Sequence, residues 1–220
     1  MNNTKQSVSL IFCSPLWLIS NAIRYSHNNH DKSDSKVLYR DNGTIETSLG
    51  SKDFNLIKRV GFHMNHSSVL EHSLIVFNLE LTQKALLELS RHRIGLSMTV
   101  TSSRYALGSM GVEFEQTGSE ILDRMLDGYK KQLEKLVSIA TKKEFDKLAE
   151  LLPQAFIYKG QFTFNLRSLV HFLKLRTSKS AHKDIRILAY QMFNVLPEEY
   201  KELIFCDKQI AKQIKDNKND

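Results

Sequence analysis

Between Ser90 and Tyr105 the chain carries Arg91, His92, Arg93 and Arg104 among the hydroxyl side chains of Ser97, Thr99, Thr101, Ser102 and Ser103. Guanidinium groups grip phosphate and carboxylate through paired hydrogen bonds and stay charged when partly buried, and hydroxyls add further donors. Arginine at each end of the segment therefore sets up two anion positions. The same residues also describe an ordinary basic helix end, since cations are favourable at the negative end of a helix dipole.

A second group runs from Asn165 to Arg176. There Arg167, His171 and Lys174 recur at three- and four-residue spacing on one helix face, with Leu169, Phe172 and Leu173 on the other. One face packs, and the other either recognises a ligand or meets water. A third group, His63, His66, Glu71 and His72, combines imidazole with carboxylate. Its spacing matches no H-E-x-x-H pattern, so no metal site is expected. Satisfied core polar groups are the plainer reading of His66, Glu71 and His72.

Covalent catalysis has no obvious nucleophile. No G-x-S-x-G elbow or Walker loop occurs, and Cys13 and Cys206 lie outside any basic polar cluster and form no disulfide or zinc spacing.

These groups need elements to position them. Alternation predicts a strand over Ser7 to Cys13, and Pro15 opens a helix to Tyr25. Residues 27–50 are polar, with a turn at Asp41-Asn42-Gly43, and read as a surface loop. Asp53 is the expected N-cap of a helix carrying Phe54, Leu56, Ile57 and Val60, and Ser73 to Leu81 is a strand. Thr82 caps a helix with Ala85, Leu86 and Leu89 inward, and Gly95 lies just past its end. Ser119 is expected to cap a long amphipathic helix through Val137, and Phe145 to Leu152 forms a helix stopped at Pro153. A strand over Phe156 to Phe164 follows, then helices over Leu166 to Leu175, Ala181 to Val195 and Pro197 to Ile214, with 197–220 forming a C-terminal helix and polar tail. Without a βαβ rhythm or G-x-G-x-x-G loop the class is α+β, a mixed β-sheet flanked by helices, in one domain spanning 1–220.

Of the 220 residues 41% are hydrophobic and 25% charged, which excludes disordered and fibrous classes and allows a substantial core. No long apolar run or signal-peptide layout is present, so a cytoplasmic protein without membrane contact is expected. The net charge of +7 favours anionic partners. A nucleic-acid-binding module is the alternative class, but aromatic residues do not interleave with the basic ones as stacking platforms.

The sequence resembles the flavin-dependent thymidylate synthases. Their signature, Arg-His-Arg followed after seven residues by Ser-x-Arg-Tyr, is matched by Arg91-His92-Arg93 and Ser102-Ser103-Arg104-Tyr105. Similar blocks occur in the family's order at Ser14-Pro15-Leu16 through Arg24, Leu56 to Gly61, His66 to His72, Ala85 to Arg93 and Asn165 to Leu169. The resemblance implies a homotetramer that converts dUMP to dTMP at subunit junctions, with FAD, NADPH and methylenetetrahydrofolate, and hydride chemistry in place of a cysteine nucleophile. It places flavin contacts on His66, Ser68, Glu71, Arg91, His92, Arg93, Asn165 and Arg167, with His171 where the family often has Asn. Nucleotide contacts fall on Glu88, Arg91, Ser102, Ser103, Arg104 and Arg176. Arg104 is matched to the phosphate, Arg176 to negative charge on the uracil, and Ser102 and Arg176 to the catalytic centre.

Three departures touch this pattern. Eight residues separate Arg93 from Ser102, Lys147 is the nearest candidate for a basic residue expected before Pro153, and Val100 stands where many members carry an acid. A relative acting on UMP or dCMP with the same flavin chemistry is the alternative these departures leave open.

Overall fold

The computed structural model describes residues 4–217. Its four-stranded sheet has the order β1 (Ser7–Cys13), β4 (Leu74–Thr82), β6 (Ile157–Asn165), β5 (Leu96–Val100). The α+β class holds, while the sheet expected to be mixed is antiparallel at every pairing. Strand β5 went unread although Leu96, Met98 and Val100 alternate with Ser97 and Thr99 as in a half-buried strand, because the segment's arginines and hydroxyls were read for anion binding alone; it pairs with β6.

Alternation along β4 sends Ile75, Phe77, Leu79 and Leu81 into the core. Phe77 lies opposite Phe162 and meets Phe164 edge to face at 6.2 Å. Against this face pack α1 (Trp17–Ser26), α3 (Gln83–Leu89), α7 (Leu166–Arg176), α8 (Lys183–Asn194), α9 (Glu198–Ile204) and α10 (Lys208–Asn217). A smaller apolar cluster gathers Leu107 of α4 (Ser103–Met110), Leu133 of α5 (Glu120–Ile139) and Phe145 of α6 (Phe145–Ala149) around Phe114 and Phe156.

Several expected boundaries move for local reasons. Residues 27–50 are not a plain loop, because β2 (Lys36–Tyr39) and β3 (Ile45–Ser48) pair as a hairpin around Gly43, whose φ is +80°. Ser119 occupies the N-cap position of α5 but makes no side-chain cap; the Asp123 carboxylate instead accepts N–H bonds from Thr117 and Gly118. The single C-terminal helix is two, because Asp207 accepts from the N–H groups of Gln209 and Ile210 and starts α10 afresh. Of the expected polar tail, residues 218–220 lie outside the described residues.

Asp53 is not an N-cap. Helix α2 (Ser51–Ile57) begins after Gly50, and its first N–H groups are capped by Asp34, which accepts from Lys52 N at 2.8 Å and Asp53 N at 2.9 Å. Only glycine permits that approach, since a Cβ at Gly50 would lie 2.1 Å from Asp34 Cγ. Asp53 itself is fully buried, accepting from Arg24 Nε at 2.7 Å and from Ser33 and Ser35 at 2.5 and 2.6 Å. Burial pushes its carboxyl upward, but the serine and arginine hydrogen bonds outweigh this and hold it below its ordinary value.

Removing one partner leaves an uncompensated buried charge, so Asp53→Ala is expected to destabilise the protein by about 3–5 kcal/mol in urea unfolding. Because the folded carboxyl is depressed, its contribution is present above the unfolded pKa and lost as pH falls through the folded one. The gap between variant and wild type should therefore narrow in acid.

Candidate functional site

Helix α3 is capped by Thr82, whose hydroxyl accepts from Ala85 N at 3.0 Å, and presents Glu88 one residue before its end. Helix α7 starts at Asn165, whose side chain accepts from Ser168 N at 2.8 Å, and carries Arg176 at its last position. Packing α7 against the chain that leaves α3 brings the two residues together. Arg176 Nη1 lies 2.9 Å from Glu88 Oε2, a second guanidinium N–H donates to Glu88 O at 3.3 Å, and Nε–H donates to His92 Nε2 at 3.2 Å. The side chains of Arg176 and Glu88 are only 17% and 14% exposed, so this ion pair is shielded from solvent.

Because Arg176 donates to Nε2, that nitrogen is the unprotonated one and the neutral ring carries its proton on Nδ1. His171 and Phe172 of α7 meet the same ring edge to face, at 5.7 and 5.2 Å. Burial, then the charge of Arg176 and the neighbouring His171, lower the His92 pKa to about 4, against a smaller opposing effect of Glu88. The ring is a neutral donor and acceptor at physiological pH.

A second junction fixes the segment that follows. Gly95 has φ +67°, and a Cβ there would lie 2.2 Å from Ser168 Oγ and 2.3 Å from Asn165 Nδ2. That closeness lets Ser168 Oγ donate to Ile94 O at 2.6 Å and Asn165 N donate to Gly95 O at 3.0 Å. Asn165, expected as a flavin contact, has its side-chain oxygen engaged as the helix cap.

The remaining expected residues fall into three places. Arg91 and Arg93 are exposed just beyond α3, Arg91 reaching Glu88 only at 3.7 Å. His66 and Ser68 sit exposed at the start of a 3-10 turn (Ser67–His72), whose Glu71 pairs with Arg167 at 2.6 Å, both side chains near half exposed. Ser102 precedes α4 without making a side-chain cap, Ser103 begins that helix, and Arg104 grips Asp146 of α6 through two bonds of 2.5 and 3.1 Å. Asp146 had not been read as part of the site; only its place on α6, packed against α4, reveals the pairing. Among the described residues no hydrogen bond joins Arg104 to the Arg176 group. Lys147 follows Asp146 on α6, and Val100 ends β5 half-buried against the core.

The cysteines stand apart. Burial pushes the Cys13 thiol up to about 11 and raises that of Cys206 as well, so neither is an activated thiolate.

The family model described as thymidylate synthase complementing protein matches residues 12–200. The chain is 32% identical to the flavin-dependent thymidylate synthase of Wolinella succinogenes, over 92% of this chain and 98% of that one. The chain belongs to the flavin-dependent thymidylate synthase family. A Campylobacter jejuni member is 33% identical over 88% of this chain and 93% of its own. Two solved structures of the Helicobacter pylori thymidylate synthase X, each with FAD and dUMP, align with TM-scores of 0.72 and 0.75 at 29% and 32% identity, covering 93% and 90% of this chain and 99% and 97% of theirs. The departures in spacing and at Val100 therefore lie within a family member whose fold is retained.

Neutral His92 also ties stability to pH. Its folded pKa is depressed, so its contribution is complete above the unfolded value of 6.5 and is lost as pH falls toward about 4. Urea midpoints should fall more steeply for wild type than for His92→Gln between those values; parallel slopes would contradict the assignment.

Proposed function

We propose that the protein makes dTMP from dUMP by reductive methylation, with FAD as redox cofactor, methylenetetrahydrofolate as carbon donor and NADPH as reductant. The observation that carries the reading is the shielded Arg176 cation, held by Glu88 and His92 beside exposed Arg91. Family membership and the FAD and dUMP in the solved Helicobacter pylori structures support it.

The donor set fits a flavin dinucleotide. Arg91 is 73% exposed, Arg93 is exposed, and Arg167 and Ser68 lie on the surface, which is the chemistry a pyrophosphate requires. Bound FAD supplies hydride transfer. His66, Ser68, Glu71, Arg91, His92, Arg93, Arg167 and His171 hold it, and Asn165 serves them by capping α7.

Arg176 faces the pyrimidine and offsets the negative charge that develops when the ring ionises at N3. Glu88 fixes the guanidinium, and His92 accepts from Nε while leaving its Nδ1 proton for a ligand. Ser102 and Ser103 donate to the nucleotide. Arg104 takes its phosphate on releasing Asp146, a surface pair that costs little to break. Lys147, beside Asp146, stands in for the basic residue expected before Pro153.

We read the protein as a cytoplasmic homotetramer with sites at subunit junctions. Its candidate groups are spread over open surface, and α5 exposes Ile121, Met125 and Ile139 at 66–74%.

Release of tritium from 5-labelled dUMP should require FAD, methylenetetrahydrofolate and NADPH together. Arg176→Ala should retain flavin absorbance yet lose about 10²–10³-fold in release rate. Flavin loss in that variant, or release that survives omission of the folate, would contradict the roles assigned.

A further inference from the structure

A cavity of about 860 Å³ opens between the end of α1, the chain at 27–32, α2 and the π-helical turn Lys58–His63. Its wall carries Lys32, Lys52 and Arg59, with His27 and His66 alongside and no Asp or Glu among the lining residues. Arg24 lines it too, but its charge is met by Asp53. Lys32, Lys52 and Arg59 make no ion pair among the described residues, so three cations face one concave space without a counter-charge. Such an arrangement is unfavourable alone and raises the local concentration of anions.

The cavity is built, not incidental. Asp34 caps α2 and Asp53 ties Ser33 and Ser35 to Arg24, which holds the chain at 29–35 against α1 and α2 and carries Lys32 and Asn29 to the wall. Lys52 and Arg59 are seven residues apart, two turns along one face. The cations come from two segments, Lys32 from the 3-10 turn His30–Lys32 and Lys52 and Arg59 spaced two turns along one continuous helix, which suits several spaced anionic groups better than one phosphate. Asn29 Oδ1, buried on this wall, accepts no hydrogen bond. An acceptor in that position calls for an N–H or O–H donor, which an ionised phosphate does not carry and an amide group does.

We infer that this cavity is the binding subsite for a row of carboxylates joined by amide groups, the chemistry of a folate's γ-glutamyl tail. The inference rests on the reading of methylenetetrahydrofolate as carbon donor. It adds where the tail lies: His66, assigned to the flavin, also lines the cavity, so a ligand seated there extends from the cofactor face.

The test measures calorimetric binding of tetrahydrofolate mono- and triglutamate to the flavin-loaded protein, in wild type and in Lys52→Gln/Arg59→Gln. Triglutamate should bind wild type about tenfold more tightly than monoglutamate. In the variant that difference should fall to within about twofold, with flavin content, dUMP affinity and urea midpoint unchanged. Equal affinities in wild type overturn the proposal. Flavin loss in the variant assigns the cations to the cofactor's pyrophosphate and overturns it, as does weakened NADPH binding with the tail-length dependence intact. Free tri-γ-glutamate serves as a second probe: if the protein fails to release tritium from dUMP yet binds this peptide through Lys52 and Arg59, the reaction assignment fails while the subsite stands.

Discussion

The candidate site turns on one partly shielded cation. Arg176 is the last residue of α7, and its guanidinium is held on two sides, by Glu88 and by the His92 ring. A charge in that position is tolerable only with a partner, because desolvation penalises it and the pair is protected from screening. Burial, and then the charge of the same cation, keep the imidazole neutral, and the contact fixes which ring nitrogen carries the proton. Position and tautomer at the centre thus follow from the contacts Arg176 makes with Glu88 and His92.

Those contacts depend on the way the sheet ends. β6 runs straight into α7 through Asn165, which caps the helix and meets Gly95 at the start of β5. Left-handed Gly95 admits Ser168 and Asn165 where any side chain would clash. The basic segment beyond α3 is therefore clamped at its middle, with Arg91 to Arg93 on one side and Ser102 to Arg104 on the other. The longer spacing between Arg93 and Ser102 is accommodated by a regular strand pairing, Leu96 opposite Phe164 through Val100 opposite Gly160.

Where local chemistry decides structure, the sequence was legible. Thr82 announces its helix, and the apolar run of β4 announces its strand, whereas the capping role of Asn165 emerges only in the structure. Of the Arg-His-Arg and Ser-x-Arg-Tyr blocks, His92 meets Arg176, whereas Arg104 pairs with Asp146 instead. Legibility failed where distant partners decide. Asp53 looks like a helix cap, but Arg24 and the serines at 33 and 35 draw it into the core, and Asp34 takes the capping role from across a hairpin. Strand β5 alternates apolar and polar residues and was legible in principle, but only its pairing with β6 shows where it lies in the sheet. The basic cavity was equally hidden, since Lys32, Lys52 and Arg59 converge only once Asp34 and Asp53 fold the intervening chain back.

The claim that Glu88 works by holding Arg176 is tested most directly by a double-mutant cycle. Tritium release at saturating dUMP would be measured for Glu88→Gln, Arg176→Gln and the double variant, each with flavin bound. The account predicts that the double variant is no slower than Arg176→Gln alone, a coupling of about 1.5 kcal/mol or more. Additive losses would show that Glu88 acts on the nucleotide independently, and would contradict it.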